Sequence, residues 1–517
     1  MMIGHVAMSL IPIVLLLAPY LIICWIIHRS ITALAFCSSS AAAGSTTTTK
    51  SETTNTTHTM PKLHVLFSTP TTTGLLLAVC LFHLSTEHNN NNNNNNNSTT
   101  TASGLHDLIK GTDPLLNEIL RLVPSIQKGP TPPLFFRNRH LQFIPWLIQN
   151  ELHRLEGIPF QRIDIEVMAC ADKSEGPDCI PSLHLNDTVT LDIFPPFDND
   201  DNDNDHHPNF NRSSPIILFA PGLRCYSQDL PGQMIMRRAY AEGFRSVVIN
   251  RRGHTPGMPL KSPRWNLFGD IDDMEQVYWH LKENLVDQYT PMFLHGISSG
   301  TAVTVTALSA WDKRRTAGGK APSFVASIAV TPGYDISKVM TPERFLFPYN
   351  DILTPLVKSH FVLQNEDLLR AYNSEAVDAT LAATSLQEFV DAAAPFAGYP
   401  NATAYYRGEN PINELRVITT PKFVLNAIDD PCCHINNLYE ASPYVHHDGF
   451  TFAEMVSQTD RALLAVTKTG SHCPFLDGFF LPITKDPLYG GWMLASWADQ
   501  VSIEYYRAAL EVYGDRR

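Results

Sequence analysis

Along residues 134–517 short apolar runs alternate with amphipathic stretches. The runs are residues 215–221 (PIILFAP), 246–250 (SVVIN), 292–295 (MFLH), 325–330 (VASIAV) and 422–426 (KFVLN), each rich in Val, Ile or Phe. Between them lie residues 270–281 (DIDDMEQVYWHL) and 301–311 (TAVTVTALSAW), which read as helices. A strand that is apolar on both faces must be covered on both, so the alternation predicts an α/β architecture: a mostly parallel sheet with helices on both sides. Residues 197–212 form a polar insertion between two strands.

The first 133 residues have a different texture. Residues 6–27 are an uncharged run of 22, long enough at 1.5 Å per residue to cross a hydrocarbon core of about 30 Å. The run is too long for the apolar part of a cleaved signal peptide, which spans about 7 to 15 residues behind a basic segment; residues 1–30 therefore read as a membrane anchor. No Lys or Arg precedes the run, whereas His28 and Arg29 follow it, which favours a cytosolic C-terminal side. Residues 75–84 (LLLAVCLFHL) are apolar but too short to span unaided, leaving an interfacial segment or a weak second span open. The rest of 31–133, with nine consecutive asparagines at 89–97, reads as low-complexity linker. The expectation is a single-pass endomembrane protein with its folded domain, 134–517, on the cytosolic side. Sequons at Asn186, Asn211 and Asn401 would carry glycan if that domain faced the lumen.

A chain of 517 residues exceeds what one core supports, about 250 to 300 residues, and the anchor and linker absorb part of the excess. A net charge of −13 with no Lys/Arg cluster argues against a nucleic-acid partner. Five of the acids sit in residues 198–205 (DNDDNDND), which lack the Gly and Glu of a calcium-binding EF-hand loop and read as solvated. The nine cysteines are irregularly spaced, which excludes a zinc ribbon or dense disulfide framework. Cys170 and Cys179 would bridge in an oxidising lumen and otherwise remain thiols. Adjacent residues Cys432, Cys433 and His434 cannot easily converge on one metal and read as packing.

The sequence that carries chemistry is Gly296-Ile297-Ser298-Ser299-Gly300, directly after a predicted strand and opening a predicted helix. In a G-x-S-x-G elbow the serine sits on a strained turn, and the glycines remove side chains that would clash with the flanking strand and helix. Such a serine needs an acid and a base, which follow it in the order Asp or Glu, then His. Asp430, in Asp429-Asp430-Pro431 after the run 422–426, is the preferred acid. Asp429 is the runner-up and Asp335 a third candidate. His472, in Thr469-Gly470-Ser471-His472, is the base. Developing charge on a tetrahedral intermediate calls for two backbone donors. The expected ones are the N–H groups of Ser299 and of Leu223, in Phe219-Ala220-Pro221-Gly222-Leu223. His254 precedes the nucleophile and is out of order. The spacing His472 to Asp477, an H-x-x-x-x-D pattern found in acyltransferases, is too loose to assign.

Together these residues resemble the YheT-type branch of the α/β-hydrolase-domain proteins, membrane-anchored lipases and ester-forming acyltransferases. The likeness extends from about residue 134 to the C-terminus. Residues 138–142 (NRHLQ) resemble the branch's N-G-H-L-Q motif, 250–253 (NRRG) its N-x-R-G turn, 426–431 (NAIDDP) its acid loop and 497–506 (WADQVSIEYY) its closing helix. Two departures flank the catalytic atoms: Ser298 is followed by Ser299-Gly300-Thr301 where the branch has M-G-G, and His472 by rights follows Gly-Gly but here follows Gly470-Ser471. The resemblance implies an α/β-hydrolase fold, a helical cap over about 337–399, and hydrolysis of lipid or medium-chain acyl esters through Ser298, Asp430 and His472. It requires no metal or organic cofactor. Phe345, Phe347, Tyr349 and Phe361 would line an acyl channel or form the cap's own core. The alternatives are transfer of the acyl group to an alcohol, or a catalytically weak ligand-binding homologue.

Overall fold

The computed structural model describes residues 104–514, apart from 156, 171–172, 174–183, 198–209, 256 and 442–448. Nine strands form one sheet: β1 (Leu105–Lys110), β2 (Gln161–Cys170), β3 (His184–Phe194), β4 (Ile216–Ala220), β5 (Arg245–Asn250), β6 (Met292–Ile297), β7 (Ala326–Val330), β8 (Lys422–Ala427) and β9 (Ala462–Thr467). Their order is β1-β9-β8-β7-β6-β4-β5-β3-β2. Strands β4 to β9 run parallel to their neighbours, and antiparallel pairs close both edges.

All six parallel strands are buried along their whole length. Alternate residues serve opposite faces, as the period of two in a strand demands. Ile216, Leu218, Met292, Leu294, Leu464 and Val466 face one cluster that also holds apolar side chains of helices Ile271–His280, Gly300–Thr316 and Phe452–Gln458, the last lying against β9. Ile217, Phe219, Phe293, Leu463 and Ala465 pack under Leu230–Ala241 and Trp497–Tyr513.

The folded body begins earlier than residue 134. Strand β1 pairs with β9 from Leu105 onward, and Leu116 and Ile119 of the helix Leu115–Leu122 are fully buried, so residues 104–133 belong to the domain and not to the linker. Residues 105–110 (LHDLIK) lack a strand's strict alternation, and it is β9, far along the chain, that makes a strand of them. The runs at 6–27, 75–84 and 89–97, and Cys179, lie outside the described residues. Among the described residues no helix is long and apolar enough to cross a membrane.

Between β7 and β8 the chain is helical, and the cap extends past residue 399. It holds helices Tyr349–Val357, Glu366–Ala382, Leu386–Ala393 and Ala402–Glu409. Its core is aromatic: Trp265, from the loop after β5, stacks on Phe361 at 4.9 Å and Phe396 at 5.8 Å between ring centroids. Phe345, Tyr349 and Phe361 are buried in this cluster, whereas Phe347 is 57% exposed. A buried ionic seam fastens cap to sheet. Lys173 Nζ lies 2.8 Å from Glu409 of the cap and 3.4 Å from Asp270. Arg252 pairs with Asp270 at 2.8 Å and Asp273 at 2.7 Å, and the Tyr399 hydroxyl donates to Glu409 at 2.8 Å.

Candidate active site

The sheet order reverses between β4 and β6, because β5 lies on one side of β4 and β6 on the other. Open α/β sheets place ligands outside the carboxyl ends of the strands at such a switch point. Ser298 stands there, one residue past β6, with φ of 52°. A non-glycine residue held at positive φ stores strain, and here the turn is clamped on both sides. Ser298 N–H donates to Val330 O at 2.9 Å, and its carbonyl accepts from Thr301 N–H at 3.0 Å. The flanking glycines are sterically required. A Cβ at Gly300 would lie 2.2 Å from Ala220 O, and one at Gly296 would lie 2.9 Å from Thr301 Cα.

Asp430 and His472 arrive from the ends of β8 and β9. His472, in the loop after β9, faces Ser298 with Nε2 2.8 Å from Oγ. Its Nδ1 lies 2.9 Å from Asp430 Oδ2 and 3.1 Å from Oδ1. Asp430, just past β8, is fully buried, and its Oδ1 accepts the N–H groups of Cys432 and Cys433, each at 2.8 Å. Burial alone would lower the proton affinity of His472. The Asp430 carboxylate outweighs it and holds the imidazole well above its ordinary value.

The three candidate acids separate by what they touch. Asp429 turns away from the imidazole and accepts the N–H groups of Gly470 and Ser471, both at 2.9 Å, so it shapes the loop that presents His472. Burial pushes its carboxyl up to about 7 despite these bonds. Asp335 accepts from Ser337 and Asn410 and does not meet His472. His254 is buried against Phe361, its Nδ1 3.1 Å from Arg252 O, away from the serine. Asp477 fixes Thr131 N–H at 2.7 Å.

The loop after β4 faces the elbow. A Cβ at Gly222 would lie 3.2 Å from Ser298 Cβ and 3.7 Å from its Oγ, so only glycine leaves room for a substrate carbonyl above the serine. Behind this loop sits a residue that sequence reasoning passed over. Arg251 is buried, and its Nη2 donates to Pro221 O at 2.8 Å, Gly222 O at 2.9 Å and Ser299 Oγ at 3.1 Å. One guanidinium thus ties the loop carrying Leu223 to the elbow carrying Ser299. Burial pulls its pKa down to about 10. The only local signal was its place in Asn250-Arg251-Arg252-Gly253, where Arg252 serves the ionic seam.

Both departures from the branch pattern have local partners. The Ser299 hydroxyl receives Arg251. Ser471, at φ 53°, compensates for the missing glycine with an Oγ–H donated to Arg139 O at 2.7 Å. Around the triad, Cys225, Cys432, Cys433 and Cys473 are free thiols. Asp430, Cys433 and His472 bring ligand atoms within 4.8 Å of one another. Those atoms of Asp430 and His472 already bond each other, and burial pushes the Cys433 thiol up to about 11, which disfavours the thiolate that metal binding needs.

A strand-end serine, histidine and buried aspartate on a switch-point sheet define an α/β hydrolase. The model of the alpha/beta hydrolase family matches residues 217–478, half of the chain, and the protein belongs to that family. Among curated relatives, an abhydrolase domain-containing protein of Dictyostelium discoideum is 25% identical over 308 residues, covering 58% of this chain and 69% of that protein. Monoacylglycerol lipase ABHD2 of Danio rerio is 24% identical over 333 residues, covering 62% of this chain and 68% of that one. Protein ABHD15 of Homo sapiens is 24% identical over 287 residues, 53% of this chain and 51% of that one. Among solved structures, a hyperthermophilic esterase from Pyrobaculum calidifontis aligns over 78% of this chain and 99% of that one, at 14% identity and a TM-score of 0.36.

Proposed function

We propose that this protein is a serine hydrolase of the YheT-type branch that cleaves carboxylic esters of lipids or medium-chain acyl groups. The observation that carries the reading is the unbroken hydrogen-bonded line from Ser298 Oγ through His472 to Asp430. In the reaction His472 Nε2 takes the Ser298 proton as Oγ attacks the ester carbonyl, and Asp430 holds the imidazole tautomer and stabilises the cation that forms. The oxyanion sits against the N–H groups of Leu223 and Ser299, each worth about 3 kcal/mol of barrier. His472 then hands its proton to the departing alcohol, and water repeats the sequence on the acyl-enzyme to release the acid. The monoacylglycerol lipase relatives favour a lipid ester as substrate, and the 6–27 run favours a membrane-anchored enzyme with the catalytic domain on the cytosolic side.

Wild type and Ser298→Ala are to be compared on long-chain monoacylglycerols and on p-nitrophenyl esters, with and without added ethanol. Free acid released by the wild type, and reduced at least 10³-fold in the variant, is the expected result. Ethyl ester as the main product with ethanol present would make the protein an alcohol acyltransferase. No turnover by the wild type would sink the hydrolase reading.

A further inference from the structure

The residues around the mouth of the site carry a second feature. Phe479 and Phe480 are each 82% exposed, Trp492 is 73% and Leu134 71%, and Phe135, Leu481 and Ile483 are also exposed. An isolated exposed apolar residue is ordinary, but a group of large aromatic ones marks an interaction surface. The segments that carry Leu134, Phe135 and Phe479 to Ile483 are fastened together, and Trp492 stands on the strand that pairs with Ile483–Lys485. Gly478 N–H donates to Thr131 O at 3.1 Å and Thr131 N–H to Asp477 Oδ1 at 2.7 Å. Phe136, between the exposed Phe135 and Arg137, packs in one cluster with Leu476, Met493 and Leu494. The tip is held at both sides by Asp477 N–H to Ala495 O and Ala495 N–H to Pro482 O, each at 2.8 Å. The side chains therefore project from a braced hairpin.

Three properties specify what covers this patch. It lies beside the catalytic loop: Ser471, next to His472, bonds Arg139 O at 2.7 Å, and Phe479 follows His472 by only seven positions. Its rim carries bases: residues 129–139 contain Arg137 and Arg139 and no acid, and the acids of the neighbouring segment are engaged, Asp477 by the N–H of Thr131 at 2.7 Å and Asp486 by the buried Arg237. The N-terminal part of the chain joins the domain at the same place, since Gly104 N–H donates to Lys128 O at 2.7 Å and Gly104 O accepts from Lys468 N–H at 2.8 Å. Aromatic rings with flanking bases suit the headgroup layer of a bilayer, where Trp and Tyr concentrate and anionic lipid attracts Lys and Arg. A bilayer-length apolar run lies upstream of Gly104.

We infer that the face formed by Leu134, Phe135, Phe479, Phe480, Leu481 and Trp492 docks on a lipid bilayer, so that the catalytic end of the sheet receives its ester from the membrane. The inference deepens the hydrolase reading and rests on it for the substrate, though not for the docking itself. Its test uses the full-length protein, wild type and Phe479→Ser/Phe480→Ser, with Tyr289→Ser as control. Tyr289 is 85% exposed and precedes β6, at the opposite end of the sheet from Ser298. Each is assayed on water-soluble p-nitrophenyl butyrate and on a long-chain monoacylglycerol embedded in phosphatidylcholine–phosphatidylserine vesicles. The double variant should lose at least about tenfold on vesicles and nothing on the soluble ester, and the control should match wild type on both. Undiminished vesicle turnover by the double variant would overturn the proposal. Separately, wild type and Trp492→Phe are bound to vesicles of brominated phosphatidylcholine. Quenching of the fluorescence that Trp492 contributes is expected, and an unquenched Trp492 overturns the docking whatever the activity. If wild type cleaves neither ester, the hydrolase reading fails while the quenching still decides the docking.

Discussion

The carboxyl end of the sheet and the cap that covers it are held together by opposite means. At the sheet end, the functional side chains are set by backbone: a clamped positive-φ serine, glycines with no space for a Cβ, and N–H groups aimed at Asp429 and Asp430. In the cap, position depends on side chains meeting over long sequence distances, through the Trp265 stack and the Lys173–Glu409–Asp270–Arg252 seam. Buried ionic seams of this kind fix geometry more than they add stability. The contrast teaches that substitutions at the sheet end should change chemistry with little loss of folding, and substitutions in the cap the reverse.

The largest expected effect divides two adjacent carboxylates. Asp430→Asn leaves a hydrogen-bonding group of the same shape but favours the wrong imidazole tautomer, and should lower kcat about 10⁴-fold. Asp429→Asn keeps an acceptor for Gly470 and Ser471 and should stay within about tenfold. Steady-state kinetics on a soluble ester checks both, and equal losses would erase the division of labour between them. Next comes Gly300→Ala. Its methyl meets Ala220 O and Pro221 O at 2.2 and 2.4 Å, pushing back the loop that presents Leu223. Losing one oxyanion donor should cost about 10²- to 10³-fold in kcat with circular dichroism unchanged.

In the cap, Phe361→Ala should lower unfolding free energy by about 3 to 5 kcal/mol, as deletion of a buried phenyl ring does. Reaction of Ser298 with a small fluorophosphonate, per folded molecule, should persist. Denaturant titration beside labelling reads both, and loss of labelling at full stability would reverse the comparison. The smallest effect is on pH. His472 must be neutral to take the serine proton, and its proton affinity is raised, so kcat/KM should climb with pH through a midpoint above the ordinary histidine value of about 6.5. The charge stabilisation of protonated His472 is fully present below that ordinary value and is lost as pH rises through the raised one. Asp429 adds to the trend, since a carboxyl raised to about 7 favours the fold while protonated. Relative to Asp429→Asn, whose amide does not titrate, the thermal midpoint of the wild type should therefore fall across the window in which activity rises.

The same contrast explains what could be read from the sequence. The parallel strands were legible because both of their faces are apolar over five or six residues. The elbow was legible because its glycines and serine answer to constraints within one turn. The order Ser298, Asp430, His472 was legible because strand order dictates it, and Asp430 was preferred to Asp429 on its distance past the strand; the structure adds that Asp430 meets His472 while Asp429 bonds the loop backbone. Strand β1 was not legible, since LHDLIK becomes a strand only beside β9. Nor were Arg251 and the seam, whose partners are brought together from distant parts of the chain. Short-range steric demands leave sequence signatures, and long-range polar pairing does not.

The central claim is that Ser298 is an activated nucleophile. It is tested most directly by labelling the full-length protein with a fluorophosphonate and mapping the adduct by mass spectrometry, in wild type and Ser298→Ala. The account predicts a single adduct on Ser298 that is absent from the variant. An unlabelled wild type, or equal labelling of the variant, would contradict it.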